Sequence, residues 1–366
     1  MQLHDVWFLL IGFLWTGYFL LEGFDFGVGM LMPFLGRSER ERGIVTNTIG
    51  PVWDGNEVWV LTAGGAMFAA FPYWYATLFS GFYVALFLIL VALILRGVAF
   101  EYRSKRTDPR WRLGWDAAIF FGSVVPALLW GVAFANIVAG VPIDKDGNFT
   151  GNLFTLLNPY ALLGGIVTLT LFATHGAAYL ALKTTNDLRA RANALVLGLG
   201  LVAAVAAVAF LAWTAANKTV PGSVAASVVA AVALIGALVA NRTRHEMWTF
   251  IATGVTILMA VVALFANLYP NVMPSTTDPA FSLTVSNASS TELTLQIMTV
   301  VAVIFTPLVL LYEGWTYWIF RQRITSERTH ETATPGGSTP QSATGAGSSG
   351  TSASMPAAIG SPGHSK

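Results

Sequence analysis

The sequence predicts an all-α protein that crosses a membrane many times, and three observations carry that prediction. Of 366 residues, 55% are hydrophobic and only 11% are charged, with a mean hydropathy of +0.62; soluble chains carry about 25% charged residues. Runs of roughly 20 apolar residues, long enough to span a bilayer, recur along the whole chain. The basic residues between those runs fall on alternate loops, which is the pattern that orients membrane helices.

Nine spans are expected, near 6–34, 52–71, 78–101, 116–140, 159–182, 192–213, 222–240, 248–269 and 293–320. The second admits an earlier start at Ile44, with Pro51 as a kink whose lost hydrogen bond must be satisfied elsewhere. One side of the membrane receives Arg37, Arg40 and Arg42, then Arg96, Arg103, Lys105, Arg106, Arg110 and Arg112, then Lys183, Arg189 and Arg191. The same side receives Arg242 and Arg244, then Arg321, Arg323 and Arg328, whereas the other receives only Lys145 and Lys218. This places the N-terminus outside and the C-terminus in the cytoplasm. The first span lacks a basic leader, is too long for a signal peptide and carries Glu22 and Asp25, so it is expected to be retained.

Two external segments, 141–158 and 270–292, are rich in Gly, Asn, Pro, Ser and Thr and are expected to form ordered turns or a cap. The transmembrane domain is expected over 1–328. From 329 to 366 the chain is Ser, Gly, Thr, Pro and Ala with almost no large apolar side chain, the composition of a disordered cytoplasmic tail.

Composition also excludes chemistry. Zero cysteines remove disulfides, thiolate metal sites, iron–sulfur clusters and Cys nucleophiles. A net charge of +1 offers no field for nucleic acid. Of five histidines only His175 falls within a span; a His175–Met67 haem pair is a weaker reading than a packed core histidine, so no haem or metal ligation is expected of this chain. The glycines at Gly23 to Gly29, Gly64-Gly65 and Gly164-Gly165 lack a following Lys-Ser/Thr and fit close helix packing better than phosphate binding. Tyr73, Trp74, Tyr75, Tyr317 and Trp318 read as an interfacial belt.

Ionisable groups within a bilayer are costly enough that each is a functional candidate. Glu22 and Asp25 share a helix face, and Asp54 and Glu57 repeat the spacing in Trp53-Asp54-Gly55-Asn56-Glu57-Val58-Trp59 at the start of the second span. The two pairs are expected at similar depth. Clustered, desolvated carboxylates can exchange protons near neutral pH, which is what a proton relay requires. The competing reading is structural: pairing with Arg96, or capping a helix start near Gly50-Pro51. For Asp54, between two tryptophans and beside Asn56, the functional reading is preferred; for Glu313 and Asp116 the structural one is.

The motifs Gly23-Phe24-Asp25-Phe26-Gly27-Val28-Gly29, Trp53 to Trp59, Gly64 to Pro72 and Phe100 to Lys105 resemble subunit II of the cytochrome bd quinol oxidases. The resemblance continues through Asn152-Leu153-Phe154, Leu157-Asn158-Pro159, Met273-Pro274-Ser275 and Tyr312 to Tyr317-Trp318, covering 1–325. It implies two four-helix bundles plus a peripheral helix. It also implies a bacterial cell-membrane heterodimer with a haem-bearing subunit I, and the small single-helix accessory subunits remain open. In that family quinol is oxidised and dioxygen reduced to water, with cytoplasmic protons consumed and haems b and d held by the partner. Asp54 matches the position that delivers protons toward the haems, and Asp25 is a matching acid nearby. Glu57 stands where Gln also occurs, and His175 where no His is required. A structural quinone is known in subunit II of some members, with no residues assignable here. The alternatives from other classes are a proton-coupled secondary transporter and an inert assembly partner. No pair of inverted, broken helices supports the transporter.

Overall fold

The computed structural model describes residues 2–324, so the tail expected from 329 lies outside the described residues. Twelve α-helices account for most of the described chain: α1 (Leu3–Leu35), α2 (Glu39–Ile49), α3 (Trp53–Ala70), α4 (Pro72–Gly81), α5 (Tyr83–Tyr102), α6 (Pro109–Ala139), α7 (Leu153–Leu156), α8 (Pro159–Lys183), α9 (Asn186–Asn217), α10 (Pro221–Arg242), α11 (Glu246–Leu268) and α12 (Glu292–Ile319). Among the described residues, eight of these are long and apolar enough to cross a membrane: α1, α5, α6 and α8 through α12. The protein is an all-α polytopic membrane protein. The expected second span forms as α3, yet Asp54, Asn56 and Glu57 in its first two turns dilute its apolar character, and it is not among the eight.

The segment before α3 resolves the alternative left at Pro51. Glu39–Ile49 is a separate helix capped by Ser38, whose side chain accepts from the Glu41 N–H, and the chain breaks at Gly50-Pro51 before α3 begins. The third span also divides. Pro72 has no N–H to give to α3 and opens α4, so Tyr73, Trp74 and Tyr75 lie on a short helix of their own rather than at the edge of a span. Trp74 is buried in the core while Tyr73 stays exposed.

α1 runs through the middle and packs on α3, α6, α8 and α11. Its approach to α8 requires glycine: a Cβ on Gly27 would stand 2.1 Å from the Phe172 carbonyl oxygen and 2.7 Å from Gly176 Cα. The same device joins α6 to α8, where a Cβ on Gly131 would meet the Gly164 carbonyl oxygen at 2.5 Å. In a bilayer, where lipid is as apolar as leucine, such backbone proximity supplies the packing that holds helices together. Outside this core α12 touches chiefly α1 and α3, and Leu295 is its one buried residue.

Ion pairs gather the basic loops at one end of the helices. Asp116 accepts from Arg103 Nε at 2.5 Å and from Arg42 at 3.1 Å; Glu39 pairs with Arg103 and Arg112; Glu41 pairs with Arg191; Glu246 pairs with Arg189. At the opposite end the two turn-rich segments form a cap. β1 (Asn271–Met273) pairs antiparallel with β2 (Leu283–Thr284), Val141 and Thr276 donate to Pro274 and Val141 carbonyls, and Ser290 N–H donates to the Ala70 carbonyl at 2.8 Å.

Candidate functional site: a buried acid cluster

Three helices bring three of the four sequence-predicted acids together around one arginine. Asp25 lies ten residues before the end of α1, about 15 Å along the axis, and Glu22 is one turn further in. Asp54 and Glu57 occupy the first turns of α3, where the positive end of the helix dipole favours negative charge. Arg96, near the end of α5, is wholly buried between them. It donates through Nη2 to Glu22, and the same nitrogen reaches Glu57 Oε2 at 3.2 Å. Its guanidinium also lies over the Phe26 ring at 4.7 Å from the centroid, a cation–π contact that supplements the ion pairs.

Asp25 takes a different partner. Asn56 Nδ2 donates to Asp25 Oδ2 at 2.6 Å, and the Tyr317 hydroxyl donates to Asn56 Oδ1 at 2.7 Å. Glu22 Oε2, Asp25 Oδ1, Arg96 Nε and Arg96 Nη1 are buried with no protein hydrogen-bond partner. One cation therefore stands among three carboxyl groups and pairs with two of them, and buried polar atoms of this kind are ordinarily satisfied by internal water.

Asp54 does not join this cluster. Its side chain is exposed, accepting from the Gly55 N–H at 2.7 Å, and Glu313 of α12 overhangs Gly55: a Cβ there would meet Glu313 Oε2 at 3.6 Å. The motif tryptophans act by packing. The Trp59 ring fills the notch at Gly17 of α1, where a Cβ would stand 2.1 Å away, and Trp53 lies against Phe100 with centroids 5.1 Å apart. Together they pin both flanks of the acid-bearing turns.

His175 is buried on α8, with Nδ1 hydrogen-bonded to the Thr253 hydroxyl at 2.7 Å and its ring stacked on Phe250 at 4.6 Å. Among the described residues no group of three or more His, Cys, Asp or Glu side chains is arranged to hold a metal ion. Asp116, expected to be structural, pairs with Arg42 and Arg103 at the basic end. Tyr317 is the residue that sequence reasoning misplaced. It was expected in an interfacial belt, whereas its position one helical turn beyond Glu313 gives it the same face of α12 and turns it inward onto Asn56.

Fold and site together define a polytopic, all-helical membrane protein with an acid-rich interior. The profile of the cytochrome bd terminal oxidase subunit II family matches residues 3–320, and the chain belongs to that family. It is a subunit of an oxidoreductase complex, and a partner subunit is implied. Similar curated proteins include cytochrome bd ubiquinol oxidase subunit 2 of Bacillus subtilis strain 168, 42% identical over 88% of this chain and 97% of its own length. Cytochrome bd-I ubiquinol oxidase subunit 2 of Escherichia coli K12 is 41% identical over 89% of this chain and 96% of its own length. In fold, the chain matches a solved chain of the bd oxidase from Geobacillus thermodenitrificans with a TM-score of 0.71, covering 87% of this chain and 99% of that one at 16% identity.

Proposed function

We propose that this chain is the subunit of a cytochrome bd-type terminal oxidase that ligates no haem, and that it stabilises the haem-bearing subunit I and conducts protons toward it. The complex oxidises quinol in the bacterial cytoplasmic membrane and reduces dioxygen to water. Each dioxygen takes four electrons and four protons, and the protons enter from the cytoplasmic side, where the basic loops lie. In this reading α3 is the ninth transmembrane helix, and the helices form two four-helix bundles and a peripheral helix. Accessory single-helix subunits and a structural quinone are compatible with it. A transporter is not favoured, given the family.

A single observation supports the proton reading. Burial rises step by step along the acids: Asp54 is exposed, the Glu57 side chain retains 24% exposure, and Glu22 retains 0%, with Arg96 joining the last two. Asp54 stands at the mouth, Glu57 one turn inside, and Glu22 and Asp25 at the inner end. A carboxylate at the mouth collects protons because it can exchange with water. Inner carboxylates can pass them on because one cation does not neutralise three acids.

The test is Asp54→Asn in the intact complex, with oxygen consumption normalised to haem content. Asn keeps the shape and cannot titrate, so haem content and assembly are expected to persist while turnover falls, with partial recovery in Asp54→Glu. Unchanged turnover in Asp54→Asn would falsify the relay role of this residue and leave the motif as a helix-start element. Loss of haem in proportion to activity would assign Asp54 a structural role instead.

A further inference from the structure

Tyr317 occupies the last turn of the helix with the least support from the rest of the chain. α12 buries only Leu295 along its length, yet its final turn is fastened twice. Lys183, ending α8, donates through Nζ to the Phe320 carbonyl, which would otherwise be an orphan at the end of α12. In return, Arg323 Nη1 donates to the Thr184 carbonyl at 2.8 Å and the Ala181 carbonyl at 3.2 Å, and the Ile324 N–H donates to the Lys183 carbonyl at 2.9 Å. Each helix end caps the other. Tyr317 lies three residues before this latch, with its ring against Phe24 of α1 at 6.4 Å and its hydroxyl on Asn56.

The consequence falls on Asp25. An asparagine amide offers an acceptor at one end and a donor at the other. When the Tyr317 hydroxyl occupies the acceptor, the donor is left for Asp25 Oδ2, and the other carboxyl oxygen, Oδ1, remains buried and without a partner. We propose that Tyr317 is a positioning residue for the proton site: through Asn56 it holds one oxygen of Asp25 in a fixed hydrogen bond and leaves Oδ1 as the oxygen at which a proton is gained and released. The Lys183–Arg323 latch keeps the Tyr317 hydroxyl in place. The other ionisable groups facing Asp25 are Glu22 on its own helix, Glu57 of α3, Arg96 of α5, Tyr179 of α8 and Glu313 of α12. Beside these groups, it is Tyr317 that hydrogen-bonds the amide held on Asp25.

This inference rests on the proton-conduction reading, and the experiment separates the two. In the intact oxidase complex, turnover per haem is measured for Tyr317→Phe, Asp25→Asn and the double variant, in ordinary and heavy water. Tyr317→Phe is expected to slow turnover roughly two- to tenfold, the size of one hydrogen bond, to leave the KM for quinol unchanged, and to enlarge the solvent isotope effect. The double variant is expected to be no slower than Asp25→Asn alone, because Tyr317 acts only through that carboxyl. Arg323→Ala, which loosens the latch and leaves the tyrosine, is expected to repeat the Tyr317→Phe effect in weaker form. Parental turnover in Tyr317→Phe beside a slowed Asp25→Asn overturns the positioning role alone, as does simple multiplication of the two effects in the double variant. Parental turnover in Asp25→Asn overturns the proton reading itself at this residue.

Discussion

Two charged networks in this protein are built from the same residue types and balanced in opposite ways. At the basic end, arginines outnumber the acids they meet: Asp116 and Glu39 each face two arginines, sharing Arg103, while Glu246 has Arg189 at 2.5 Å and Arg323 at 3.8 Å. Each of these carboxylates is matched by at least one fixed positive charge. Deeper in the fold the ratio reverses, and Arg96 alone meets Glu22 and Glu57 while Asp25 has only an amide and buried oxygens lack partners. A network with surplus cation holds loops together and has no reason to take up protons. A network with surplus carboxylate, shut away from water, meets its charge balance most cheaply by carrying protons. On the proposed function, the difference separates a strut from a relay.

The comparison breaks most severely at Arg96. Arg96→Leu leaves Glu22 and Glu57 facing each other with no cation, a loss of about 3–5 kcal/mol for a broken buried pair. The recovered haem-bearing complex per unit of membrane is expected to collapse, with partial recovery in Arg96→Lys, which keeps the charge but not the fork. Parental yield and turnover in Arg96→Leu would mean that the inner cluster needs no cation and that the two networks do not differ in this way.

Asp116→Asn tests the other network. It removes charge-assisted bonds to Arg42 and Arg103 at a largely buried site, so a thermal-unfolding experiment is expected to show a loss of about 1–3 kcal/mol. Turnover per assembled complex should stay at the parental level. A slowed turnover with intact stability would place Asp116 on the proton route rather than among the struts.

The smallest effect is expected at the opposite end of the helices, in the cap. Asp144 accepts from the backbone N–H groups of Asn148 and Asp146, and these bonds hold its carboxyl below the ordinary aspartate value. A lowered value means that ionised Asp144 steadies the folded loop at every pH above about 3.9. That contribution is lost as the pH falls below this ordinary value and through the lowered one. Limited proteolysis within 141–158 is therefore expected to be flat from neutral pH down to about pH 4 and to rise only below it. Cleavage that rises already near pH 6 would assign the loop's order to another group.

Much of this was legible beforehand. Eight of the nine expected spans reappear as helices long and apolar enough to cross a membrane, because a continuous apolar run in lipid has to satisfy its backbone internally as a helix. Helical spacing led to the expectation that the Glu22/Asp25 and Asp54/Glu57 pairs lie at similar depth, and Arg96 was already a candidate partner; the structure brings Glu22 and Glu57 onto Arg96. What spacing could not reveal was the division within the motif: Asp54 and Glu57 share a face by count, yet one is exposed and the other reaches Arg96. Nor could it reveal the inward turn of Tyr317, since aromatic residues at a span end have the same local pattern whether they face headgroups or a buried amide.

The sequence by itself determined the order of eight of the nine expected apolar runs, the segregation of basic residues to one end and the positions of four acids along the chain. These are properties of composition and one-dimensional period, and hydrophobic partition reads them directly. Only the tertiary structure decided which cation each acid meets and which is left short. That outcome depends on how closely α1 can approach α8 at Gly27 and where α5 then places Arg96, a matter of packing between distant segments on which the local sequence carries no information.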